Sequence, residues 1–148
     1  MNWDKTKPID ILLVEDNEGD VFLTQKAFEK GKIANRIRVA SDGEIALQML
    51  RREEGYEDHA HPDIVFLDIN LPKKNGKQVL AEMKADSVLS NIPVVILTSS
   101  SAEQDVLRAH NLSATCYMIK PLDLDKLHDI VSVLEDFWLS VVKFPVEA

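Results

Sequence analysis

Cysteine is almost missing from this chain. Cys116 stands alone in 148 residues, so no disulfide can form within the chain. It lies inside an apolar run and reads as a small buried side chain rather than a reactive thiol. No apolar stretch is long enough to span a bilayer, and Met1 to Pro8 is a polar lead-in without the apolar core of a signal peptide. The expected location is cytoplasmic. Basic charge is also short: 17 Lys and Arg against 25 Asp and Glu leave a formal net charge of −8. That argues against direct nucleic-acid binding, which draws its nonspecific affinity from a basic footprint. What remains is ordinary: 45% hydrophobic and 28% charged residues, at a length that fits one domain.

Apolar runs are present, and each ends on chemistry. Ile9–Val14 leads to Glu15-Asp16, Asp63–Leu67 to Asp68, Pro93–Leu97 to Thr98-Ser99, and Ala114–Ile119 to Lys120-Pro121. Such runs read as buried strands. In an open parallel sheet, ligands bind beyond the carboxyl ends of the strands, where strand order reverses. Three carboxylates, a hydroxyl and an ammonium would therefore share one crevice. Clustered carboxylates repel one another and invite a hard divalent cation. That combination suits phosphoryl chemistry on an aspartate.

Helical patterns alternate with these strands. Asn17 is a candidate N-cap, Glu18 and Asp20 fill the first turn, and Val21, Leu23, Thr24, Ala27 and Phe28 form a face that Gly31 should terminate as a C-cap. Arg36–Ala40 alternates like an edge strand. Ser41-Asp42-Gly43 turns into a second helix through Leu50. The long polar stretch from Arg51 to Pro62 reads as a solvated loop, and its His59 and His61 lack the further ligands a structural metal site needs. A third helix carries Val79, Leu80 and Met83. Ser101 with Gln104 forms a capping box for a fourth, ending near Asn111, and Asp123 caps a long last one. Five strands alternating with five helices predict one doubly wound α/β domain. The order 2-1-3-4-5 puts Glu15-Asp16 beside Asp68.

At these positions the chain resembles the receiver domains of two-component response regulators, a flavodoxin-like fold. The resemblance rests on Glu15-Asp16, on Asp68-Ile69-Asn70-Leu71-Pro72 with Gly76, on Thr98, and on Tyr117 with Lys120-Pro121. It covers about Ile9 to Phe137, and the expected division is a lead-in over 1–8, a receiver over 9–138 and a tail over 139–148. The second acid of the usual pair is Glu15 here, which keeps the charge. The chain is similar, more narrowly, to the small regulators paired with bacterial phytochromes. Leu13–Asn17 with Asp20, the lengthened loop before Pro62, and Phe137-Trp138-Leu139 carry that second likeness.

The resemblance implies roles. Asp68 would be the phosphoacceptor, taking the phosphoryl group of a sensor histidine kinase, which the narrower likeness makes a phytochrome. Asp16, Asp68 and the backbone carbonyl of Asn70 would hold Mg²⁺, with Glu15 acting through water. Lys120 would pair with Asp68 and then with the phosphoryl oxygens, next to a cis Lys120–Pro121 bond. Thr98 and the Ser99 N–H would bind a phosphoryl oxygen. Tyr117 would change rotamer with Thr98 and alter the surface of the fourth helix, fifth strand and fifth helix.

The receiver pattern uses nearly the whole chain, so output by binding a partner is expected. Leu127, Ile130, Val131 and Leu134 form a stripe suited to the sheet. Phe137, Trp138, Val141 and Val142 extend it past the point where receivers usually stop, which predicts a homodimer surface. Two rival readings meet obstacles in the residues. An aspartyl-phosphate hydrolase of the haloacid-dehalogenase kind needs an acid two residues after the nucleophile, and Asn70 stands there. A phosphorylation-independent pseudo-receiver would be expected to lose the acid pair, the Asp or the Lys, and this chain keeps them all.

Overall fold

The architecture follows from how the apolar residues alternate. Along Ile9–Val14 (β1), Ile11 and Leu13 point to one face and Leu12 and Val14 to the other, and all four are buried. A strand buried on both faces belongs inside a parallel sheet covered by helices. The computed structural model shows that arrangement. It describes residues 8–31, 34–99, 102, 107 and 116–142, with the side chains of 137–142 outside the description.

The remaining strands are Asn35–Ala40 (β2), Ile64–Asp68 (β3), Val94–Thr98 (β4) and Cys116–Ile119 (β5). All pair in parallel, in the order β2-β1-β3-β4-β5. The helices are Glu18–Glu29 (α1), Gly43–Leu50 (α2), Gly76–Lys84 (α3) and the last helix, Leu124–Val142 (α4). The helix expected between Ser101 and Asn111 falls outside the described residues except at Ala102 and Leu107; Leu107 is buried in the core.

One core layer joins Leu12, Val65 and Ile96 to Leu47 and Leu50 of α2 and Leu80 and Met83 of α3. The opposite layer joins Ile11, Phe66 and Leu97 to Phe28 of α1 and Leu127 and Val131 of α4. Phe28 meets Phe66 edge-on, with ring centroids 5.6 Å apart.

Helix starts follow local hydrogen bonding. Asn17 Oδ1 accepts from the Asp20 N–H at 2.9 Å, and Asp42 Oδ1 from the Ile45 N–H at 2.8 Å. Asn75 and Gln78 form a reciprocal capping box on α3, and Asp123 Oδ1 accepts from the Lys126 N–H at 2.9 Å.

One expectation needs correction. Lys30, not Gly31, is the C-cap of α1. Gly31 is not in the left-handed region, and its value is space: a Cβ there would collide with the Glu135 carboxylate of α4. The stretch from Arg51 to Pro62 is the expected surface loop, exposed at most positions, but it is anchored at a few points. Tyr56 packs on the core, Pro62 is buried, and Arg38 Nη2 donates to the Ala60 carbonyl at 2.9 Å. Left-handed residues at Arg52 and Gly55 make the turns that bring Tyr56 back.

Candidate functional site

Strand register builds the crevice. Val14 pairs with Leu67 and Asp68 with Leu97, so Glu15 falls next to Asp68 at the carboxyl edge. Thr98 pairs with Ile119, so Lys120 emerges one residue beyond Thr98. The Lys120 N–H donates to the Thr98 carbonyl at 2.7 Å, and the Lys120–Pro121 peptide is cis.

The Lys120 ammonium sits at the centre of the group. It lies 3.0 Å from Asp68 Oδ2, 3.1 Å from Glu15 Oε1 and 2.9 Å from Asp20 Oδ2. Glu15 and Asp68 are buried, with side chains 0% and 4% exposed, whereas Asp20 is 18% exposed. Burying a carboxylate beside another favours the protonated form. Desolvation, and then the neighbouring Asp68, push Glu15 from 4.5 up to about 7. Burial works against the charge on Lys120, but hydrogen bonds to Asp20, Asp68 and Glu15 outweigh it and hold the ammonium well above its ordinary value.

Asp16 is exposed at the rim. Its carboxylate, with those of Glu15 and Asp68, offers oxygen ligands lying within 4.8 Å of one another, the one such trio among the described residues. All-oxygen donors suit a hard divalent cation.

The loop after Asp68 is closely fitted. The Asn70 N–H donates to Asp68 Oδ1 at 2.9 Å, and Asn70 Nδ2 reaches Ser99 Oγ at 3.5 Å. A Cβ on Gly76 would collide with the Asp68 carbonyl, and one on Gly43 with the Lys74 carbonyl. Both glycines are therefore needed for close backbone approach. Thr98 is fully buried and Ser99 is exposed. Tyr117 is half-buried on β5, packed on the layer that carries Ile96 and Leu107.

Glu15, Asp16, Asp68, Asn70, Thr98, Ser99 and Lys120 thus all lie at or beside the carboxyl edge of the sheet. The side chains of Phe137, Trp138, Val141 and Val142 lie outside the described residues. Asp20 is the site residue that sequence reasoning missed. It passed for a helix-start acid, yet it also reaches Lys120. Its place three residues after the Asn17 cap, one turn from the acid pair, was the available signal.

Residues 11–132 match the response regulator receiver domain. The chain belongs to that family. It is 39% identical over 145 residues to the response regulator Rcp1 of Synechocystis sp., covering 98% of this chain and 99% of Rcp1. The crystal structure of the phosphorylated cyanobacterial phytochrome response regulator RcpA is similar with a TM-score of 0.78 and 41% identity, covering 90% of this chain and 95% of RcpA. The Mn²⁺-bound form of Rcp1 also has a TM-score of 0.78, with 40% identity over 94% of this chain and all of that one. This receiver is therefore a signalling protein that works with a phosphodonor sensor kinase. Among its described residues no helix is long and apolar enough to cross a membrane.

Proposed function

We propose that this receiver accepts a phosphoryl group on Asp68 from a sensor histidine kinase, in a Mg²⁺-dependent reaction, and signals through a changed surface around β5 and the last helix. The observation that carries the reading is the buried Asp68 held by Lys120 at 3.0 Å, with a second buried acid, Glu15, on the same ammonium.

In the reaction, a carboxylate oxygen of Asp68 attacks the phosphorus of a phosphohistidine. A P–O bond forms, the P–N bond breaks, and the imidazole leaves with the electron pair of that bond. The Asn70 N–H and the Lys120 ammonium orient the Asp68 carboxylate before attack. Lys120 then offers charge to the phosphoryl oxygens. The Thr98 hydroxyl and the Ser99 N–H bind a phosphoryl oxygen, and Tyr117 follows Thr98 inward. Asp16, Asp68 and the Asn70 carbonyl would hold the metal, with Glu15 acting through water. The metal supplies neutralisation of charge as the phosphoryl group transfers. The chain catalyses its own phosphorylation and dephosphorylation and no other turnover.

A phytochrome is the kinase this reading favours, supported by the likeness to RcpA, itself a phytochrome response regulator. A homodimer through β5, the last helix and the tail with Phe137, Trp138, Val141 and Val142 is part of the same proposal. Its support is two exposed apolar side chains, Ile119 on the edge strand and Val133 on α4. The receiver itself is taken to run from 9 to 138.

Acetyl phosphate with Mg²⁺ should add one phosphoryl group, read by intact mass. Asp68→Asn should take up none, and EDTA should suppress uptake by the parent. A full increment on the Asn variant would remove Asp68 from the role. Light scattering at high micromolar concentration tests the dimer, and a monomer both with and without beryllofluoride would sink it.

A further inference from the structure

Lys120 has a third partner for which the phosphoacceptor reading has no use. An ammonium carries three N–H donors and no acceptor. Here three carboxylates surround it, and the closest is Asp20 Oδ2 at 2.9 Å, nearer than Asp68 at 3.0 Å or Glu15 at 3.1 Å. Asp20 comes from a different element. It lies in the first turn of α1, its N–H is tied to the Asn17 side chain at 2.9 Å, and its carbonyl accepts from Thr24 Oγ1 at 2.9 Å. The helix therefore fixes where this carboxylate stands. A helix-start acid needs no lysine, because the helix dipole already favours it. A reach across the crevice from α1 to the end of β5 goes beyond capping.

We propose that Asp20 is a positioning residue that holds Lys120 on the α1 side of the crevice and competes with the phosphoryl group for it. The inference rests on Asp68 as phosphoacceptor. Three carboxylates occupy the surroundings of one ammonium, so a phosphoryl oxygen arriving on Asp68 must displace one of them. Glu15 is enclosed, and Asp68 is the attachment point. Asp20, the most exposed of the three, is the one that yields. It has two effects of opposite sign. With the metal alone, Asp20 adds negative charge and draws Lys120 partly away from Asp68, which favours the cation. With a phosphoryl group, the same carboxylate repels the anion and detains its lysine.

Asp20→Asn keeps the shape and removes the charge. Titration calorimetry should show Mg²⁺ binding weakened by about three- to tenfold. Beryllofluoride, the phosphoryl stand-in, should bind about three- to tenfold more tightly at saturating Mg²⁺, followed by ¹⁹F NMR. Asp20→Glu should restore both constants towards the parent. A thermal melt establishes that the Asn variant is folded; Asp20→Ser replaces it if it is not. Opposite shifts support the role, since loosening of the fold would weaken both ligands together. Both constants moving in the same direction, or neither moving, overturns it. Failure of the parent to bind beryllofluoride would instead overturn the reading of Asp68, whatever Asp20 does.

Discussion

Two charge clusters in this molecule are near mirror images. In the crevice, one cation, Lys120, is surrounded by the carboxylates of Glu15, Asp20 and Asp68. On the surface beside α3, one anion, Glu82, sits between two cations: Arg51 at 2.7 Å and Lys74. The surface fork joins the end of α2, the loop after β3 and α3, and its one anion has cations to spare. Lys74 first, and Arg51 second, hold the Glu82 carboxyl below its ordinary range. The crevice is left short of positive charge in a buried setting, and Glu15 is pushed the other way, to about 7. Ion pairs of similar length thus have opposite consequences. The exposed fork ties loops together at little electrostatic cost, whereas the buried cluster carries more negative than positive charge away from water.

The sharpest way to break the contrast is to remove each centre. Lys120→Met leaves two buried carboxylates without their cation, and urea unfolding in EDTA should show a loss of about 4 kcal/mol. Mg²⁺ should recover part of that loss, because it supplies the missing positive charge. Equal losses with and without Mg²⁺ would mean that the crevice has no place for the ion.

The pH dependence of the two clusters should run in opposite directions. Glu15 has a folded value raised from 4.5 to about 7, so its protonated form favours the fold. Its contribution is fully present below about pH 4.5 and fades as pH rises through 7. Without metal, the parent should therefore lose about 3 kcal/mol relative to Glu15→Gln across that window. A stability difference that stays flat from pH 4 to 8 would contradict the raised value. Glu82 is lowered, so its contribution is present above its unfolded value and disappears only in acid.

The smallest effect belongs to the surface. Glu82→Ala should cost about 0.5 kcal/mol, and less in high salt, where exposed pairs are screened. A loss as large as that of Lys120→Met would make the fork a buried-type cluster and end the comparison.

Much of this was legible in the chain. Continuous apolar runs ending on acids, a threonine and a lysine predicted the parallel sheet, and the order β2-β1-β3-β4-β5 agrees. Asn17, Asp42 and Asp123 announced their helices because capping is a local hydrogen bond between near neighbours. Gly31 misled the reading for the opposite reason. What a side chain there would meet is the carboxylate end of Glu135, more than a hundred residues away. Tyr56 was missed in the same way, since a polar neighbourhood hid a ring that returns to the core.

The sequence by itself therefore determined the described strands and helices, their order and the residues at the strand ends, because these depend on hydrophobic pattern and on neighbours a few positions apart. Only the tertiary structure decided that Lys120 answers to Asp20 as well as to Asp68 and Glu15, and that burial lifts Glu15 to about 7. Those outcomes depend on distance through space and on exclusion of water, and neither is written in the spacing of residues along the chain.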